Sequence, residues 1–206
     1  MNVFKNKIPA LVLLVLFGSM LESANYCVFA GITDAVTLKS RSELGTFQRI
    51  GKVPDPVAWE RLVSDFADAS RVVPDASEYY ENIAYLFALR GASAIGFSNL
   101  AQLNFSQAVT NYKQSLRMRP MTGRTWANLS LASFYLGIEN KEIASYFDNS
   151  LAFGPFDAST QMPLISLYKN RWSGLSTKQK YELRNVLMQA KDPAIRNLGL
   201  SIPNSD

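Results

Sequence analysis

Residues 118–130 read MRPMTGRTWANLS, with Arg117, Arg119 and Arg124 crowded around Pro120 and Trp126 six residues beyond it. Proline donates no backbone hydrogen bond and restricts the residue before it, so Pro120 predicts the end of one helix. Upstream, Ala108, Tyr112 and Ser115 precede it by twelve, eight and five residues. Steps of four and three place such side chains on one helix face. The same offsets recur elsewhere: Leu62, Phe66 and Ala69 before Pro74, and Ile143, Phe147 and Ser150 before Pro155.

A partner helix is predicted after each proline. Six, nine, ten and thirteen residues beyond Pro74 lie Tyr80, Ile83, Ala84 and Phe87. From Pro120 these offsets give Trp126, Leu129, Ser130 and Ser133, and from Pro155 they give Gln161, Leu164, Ile165 and Tyr168. Pro120 and Pro155 are thirty-five residues apart but Pro74 and Pro120 forty-six, which predicts an insertion near 90–104. Self-similarity at such a period is the signature of stacked helical repeats.

This arrangement resembles the tetratricopeptide repeat (TPR), whose first helix reads aromatic-x-x-Leu-small-x-x-aromatic and whose second reads Ala-x-x-x-aromatic-x-x-Ala-x-x-x-x-Pro. The likeness covers about 56–172, and Ser133, Gln161 and the insertion depart from it. It implies an all-α solenoid in which Trp126 packs between helices. In such proteins the first helices line a concave groove, and the matching positions here include Arg124 and Asn128. Ala127 and Leu131 are apolar where a peptide-carboxylate clamp wants Lys and Asn. Beyond 173, Ser176 and Gln179 form a capping-box pattern opening a helix with Leu183, Val186, Leu187 and Ala190 on its apolar face. A capping helix over 173–199 and a disordered tail over 200–206 are expected.

The N-terminus addresses location. Lys5 and Lys7 precede IPALVLLVLFGSML, and the apolar run resumes after Asn25. As an uncleaved signal-anchor over 1–33 it approaches the ~20 residues a bilayer needs. As a signal peptide it offers VFA, ending at Ala30, for cleavage. A buried helix of a cytosolic protein is the third reading. The anchor is favoured, with the bulk of the chain in the periplasm and a polar helix and linker over 34–55. A lipoprotein is excluded because Asn25 and Tyr26 before Cys27 are not small.

Nearly end to end, the chain also resembles the VpsP-like family of exported proteins from bacterial exopolysaccharide clusters. The matching stretches are the hydrophobic N-terminus, 59–84, SLRMRPMTGRTWANLSLA (115–132), SLAFGPFDASTQMPL (150–164) and RWSGLS (171–176). That resemblance implies an accessory role in polysaccharide production or export at the inner membrane, among envelope proteins, with no catalytic residues.

The composition points the same way. Among 206 residues there is no histidine and one cysteine, which excludes Ser-His and Cys-His nucleophile pairs, the usual zinc sites and an intrachain disulfide. A net charge of +4 argues for no nucleic-acid partner. Asp65 and Asp68 read as a helix-surface pair, Asp75 and Glu78 as a favourable first turn, and the glycines of 91–96 lack phosphate-loop spacing. No motif selects a Ser-Lys dyad, and no cofactor or metal is expected. The 82–138 stretch has no acidic residue but carries Arg90, Lys113, Arg117, Arg119 and Arg124. With Asn128, the last four form a candidate partner-binding face. As an alternative, they would bind an acidic polysaccharide or lipid headgroups, and a solvated helix surface is the simpler explanation. On the anchor reading, a reporter fused after Asp206 works only outside the cytoplasm; activity confined to the cytoplasm overturns that topology.

Overall fold

A computed structural model of the chain describes residues 7–170 and 174–202, and every regular element among them is a helix. In chain order they are α1 (Lys7–Ile50), α2 (Pro56–Val72), α3 (Ser77–Ser93), α4 (Ser98–Met118), α5 (Gly123–Leu136), α6 (Asn140–Phe153), α7 (Ala158–Lys169), α8 (Thr177–Met188) and α9 (Pro193–Leu200).

The three prolines each mark a turn of one construction. α2, α4 and α6 end two residues before Pro74, Pro120 and Pro155. The following helices take their N-caps two residues after, at Ala76, Thr122 and Asp157. In every copy the residue before the proline donates its N–H to the carbonyl five residues before the proline: Val73 to Ala69, Arg119 to Ser115, Gly154 to Ser150. Prolines end these helices where the sequence predicts.

The repeated face residues are the core. Leu62, Phe66, Ala69, Ala108, Tyr112, Ser115, Ile143, Phe147 and Ser150 are all buried, as are Ile83, Ala84, Leu129, Ser130, Leu164 and Ile165. Phe87 and Tyr168 are half-buried. Tyr80 is half-buried too, and the buried aromatic of the first copy is its neighbour Tyr79, stacked on Phe66 with centroids 6.5 Å apart. Trp126 is half-buried and packs against Tyr146, the rings tilted by 31° with centroids 5.6 Å apart.

The expected insertion is not a loop. Residues 90–93 lengthen α3 and 98–104 lengthen α4, leaving only 94–97 between them. Without a proline, this Ala- and Ser-rich stretch stays helical, and Gly91 admits the Phe105 ring so closely that a Cβ there would lie 3.1 Å from it.

The polar helix expected from residue 34 is likewise not separate. It continues the apolar N-terminal segment without a break in α1, 44 residues long, until Gly51 turns the chain at φ +63°. α1 is long and apolar enough to cross a membrane. Its C-terminal half docks on the domain: Thr33, Thr37, Ser40 and Leu44 are buried. Ser40 donates to Asp65 at 2.6 Å, and Arg61 grips both oxygens of Glu43 at 2.6 and 2.7 Å. Tyr26 hydrogen-bonds Asp75, and Arg41 lies 3.8 Å from Glu78.

The expected capping helix is two. α8 opens with the capping box, Gln179 N–H donating to Ser176 Oγ at 3.2 Å. The Gln179 amide also donates to Asp148 at 2.7 Å, tying α8 to α6. The chain then breaks at Asp192, which caps α9 through Ala194 N–H with Pro193 in the first turn. The tail is ordered further than expected: Leu200 closes α9, Ile202 is buried, and its carbonyl accepts from Arg184 at 2.5 Å. Arg171, Trp172 and Ser173 of the RWSGLS stretch, Lys5 and residues 203–206 lie outside the described residues.

Backbones approach closely between α5 and the end of α6, where a Cβ on Gly123 would stand 2.6 Å from Gly154 N. Backbone cannot swing aside as a side chain can. Gly123→Ala is expected to lower unfolding free energy by about 1–3 kcal/mol, read as a lower urea midpoint with an unchanged slope.

Candidate functional site

The structure divides the five candidate residues between two surfaces. Lys113 and Arg117 border a shallow hollow of about 310 Å³ with Leu116, Trp126, Leu129 and Tyr146. Arg124 and Asn128 border a groove of about 390 Å³ between α3, α5 and α7, together with Tyr85, Tyr112 and Gln48 of α1. Arg119 stands exposed in the turn between α4 and α5.

Most of the expected positive charge is already engaged within the fold. Arg124 Nε donates to Glu81 at 2.8 Å, and that bond, against the opposing effect of burial, raises its pKa. Lys113 Nζ contacts Glu142 at 3.0 Å and lies 5.7 Å from the Tyr146 ring centre. Hydrogen bonds from Tyr146 and then Lys113 hold the Glu142 carboxyl below its ordinary range. Arg90 covers the Trp59 ring at 4.1 Å, and Arg117 reaches Gln114 at 3.1 Å. Two acids outside the acid-free stretch thus offset two of its five cations from neighbouring helices, which one-dimensional charge counting cannot see. Partly exposed pairs of this kind contribute roughly 0–1 kcal/mol each, so their weight is in deciding which cations stay free.

The carboxylates weighed for catalysis are separated in the same way. Asp65 is held by Ser40 and Arg61, Asp68 by Arg71 at 2.6 Å, and Asp75 by Tyr26. Among the described residues no group of three or more His, Cys, Asp or Glu side chains could hold a metal ion.

The α3–α5–α7 groove has the features of a binding surface. Its one ion pair, Glu81–Arg124, is internally neutral. Asn82 and Asn128 bring carboxamides to its wall, and Met162 and Pro163 of α7 close it with apolar surface. A smaller hollow of about 130 Å³ adjoins it, bordered by Tyr85, Tyr112, Asn128 and Tyr135. Tyr112 borders both cavities and is fully buried, and its hydroxyl has no hydrogen-bond partner among the described residues. Burial pushes that phenol well above the ordinary range, so it is a neutral donor at any physiological pH. A buried hydroxyl without a partner carries a desolvation penalty of about 1–3 kcal/mol. Sequence reading placed Tyr112 only as a packing residue; its position beside Asn128 depends on how α4 meets α5.

No protein-family model matches this chain, and no curated protein is significantly similar to it in sequence.

Tyr112→Phe removes the orphan hydroxyl and keeps the ring. Unfolding free energy is expected to rise by about 1 kcal/mol, measured by urea titration of the detergent-solubilised chain, where loss of a satisfied hydrogen bond would lower it.

Proposed function

We propose that this protein is a membrane-tethered, TPR-like adaptor without enzymatic activity, which serves exopolysaccharide biosynthesis or export by holding an envelope protein in the α3–α5–α7 groove. The observation that carries the reading is the groove itself, where Asn82 and Asn128 stand beside a neutralised ion pair. Such a surface offers hydrogen-bond donors and acceptors but little net charge. It suits an extended, uncharged polypeptide segment better than an anionic polymer. Three turns built alike support the TPR-like repeat, since each copy delivers one helix to the groove wall. The docked second half of α1 supports a scaffold role, because it fixes how the groove is presented relative to the tether.

The anion-binding alternative keeps Arg117 and Arg119, which have no acidic partner among the described residues. Arg117 borders the other hollow, away from Arg124. A bacterial inner-membrane anchor with the domain in the periplasm completes the proposal, and cleavage near Ala30 is its alternative.

The test is complementation. Deleting the protein is expected to impair polymer secretion, and wild-type chain to restore it. Asn128→Arg, which fills the groove and adds a charge, is expected to restore none, while Arg117→Glu restores secretion fully. Full rescue by Asn128→Arg would overturn the groove, and failure of Arg117→Glu alone would favour the anionic ligand. A photo-crosslinking residue at Met162, exposed on the groove wall, is expected to capture a protein with an exported domain.

A further inference from the structure

The domain occupies one side of α1, and the opposite side is bare. Tyr26, Thr33 and Ser40, spaced by seven, face the domain together with Ala30, Thr37 and Leu44. At 100° per residue the far side holds Phe17, Leu21, Ala24, Val28, Gly31, Ala35 and Leu38, all exposed. Their spacing alternates four and three, the heptad of a coiled-coil seam. Within the apolar segment lipid can cover such a face. Beyond Tyr26 it cannot, because Tyr26 bonds Asp75 and the charged turn between α2 and α3 must stay in water. Yet the seam continues past that level, with Val28 58% and Leu38 62% exposed.

We propose that this face pairs with the same face of a second copy, making the protein a parallel dimer through α1. The proposal rests on the anchor reading above. Membrane insertion points every copy the same way, so two α1 helices meet parallel and in register, about a two-fold axis along the membrane normal. Charge complementarity selects a second copy as the occupant. Asp34 and Lys39 flank the seam on its two sides, five residues apart, the separation at which flanking positions meet across a parallel coiled coil. In register, Asp34 of each copy faces Lys39 of the other, giving two symmetric opposite-charge contacts. The Asp34 side chain also contacts Arg41 of its own helix at 2.5 Å and remains 64% exposed. Ala24, Gly31 and Ala35 let the backbones approach, and nothing lies within 4 Å of a Cβ built on Gly31.

Phased cysteine crosslinking of the full chain in its own membrane tests the pairing. In a Cys27→Ser background, Val28→Cys, Ala35→Cys and Leu38→Cys report the seam, while Phe29→Cys and Val36→Cys report exposed positions off it. A short thiol crosslinker is expected to give a species of twice the 22.9 kDa chain mass at the three seam positions, several-fold above the two controls. Two differently tagged copies are expected to appear together in that species. Lys39→Asp is expected to weaken the crosslink, and adding Asp34→Lys to restore it. Equal crosslinking at all five positions, or none on an intact chain, overturns the dimer and leaves the anchor standing. A product of another mass assigns the face to a different membrane helix and also overturns it. Recovery of a chain shortened to near Ala30 overturns anchor and dimer together.

Discussion

The fold depends on how three proline turns satisfy their own backbone. A proline two residues past a helix end leaves carbonyls that no helical N–H can reach, and the turn must meet them another way. The preceding residue caps one carbonyl in all three copies. A side chain six residues beyond the proline meets the proline carbonyl itself in two: Trp126 Nε1 donates to Pro120 O at 2.7 Å, and Gln161 Nε2 to Pro155 O at 2.9 Å. Tryptophan and glutamine share little but a donor at the end of a planar group. That is what the position requires, and it makes Gln161, which departs from the aromatic pattern, a functional substitute. With each turn so tied, the next helix leaves in a set direction and buries a small residue, Ala69, Ser115 or Ser150, under the crossing.

A second constraint comes from α1. A membrane segment joined to a domain by a loose linker transmits no orientation. Here the helix runs on past the apolar segment and its own side chains become part of the packing: Leu44 joins the cluster of Leu62, Phe66, Tyr79 and Leu86. The contacts along it are mostly polar, through Ser40, Glu43 and Arg41, and so specific in register more than strong. Gln48 then reaches the groove, so the helix long and apolar enough to cross a membrane also contributes to the candidate binding surface.

The helical class, the three turns and most core positions were legible in the sequence, because prolines and seven-residue patterns act locally. Tyr79 was missed for Tyr80 since a repeat register fixes spacing to within a residue, while the Phe66 ring decides which tyrosine is covered. The break before α9 was legible and was passed over: Asp192-Pro193 is an N-cap followed by a first-turn proline. The site was legible only in part. Arg124 and Asn128 share a groove as the repeat implied, but the pairing of Arg124 with Glu81 and of Lys113 with Glu142 spans forty-three and twenty-nine residues of sequence. A count of charge along the chain finds a basic stretch; the fold offsets two of its five cations and leaves the pair in the groove neutral.

That neutrality bears on what the groove can hold. An anion at Arg124 would meet a guanidinium whose charge Glu81 already offsets through Nε, leaving only its Nη donors to offer. The pair is therefore more useful as a fixed dipole than as a receptor for charge. Around it stand groups with bonding capacity left over, the Asn82 and Asn128 amides and the Tyr112 hydroxyl, arranged along α3, α4 and α5. Hydrogen-bonding groups around a self-neutralised pair favour an uncharged ligand over an anionic one.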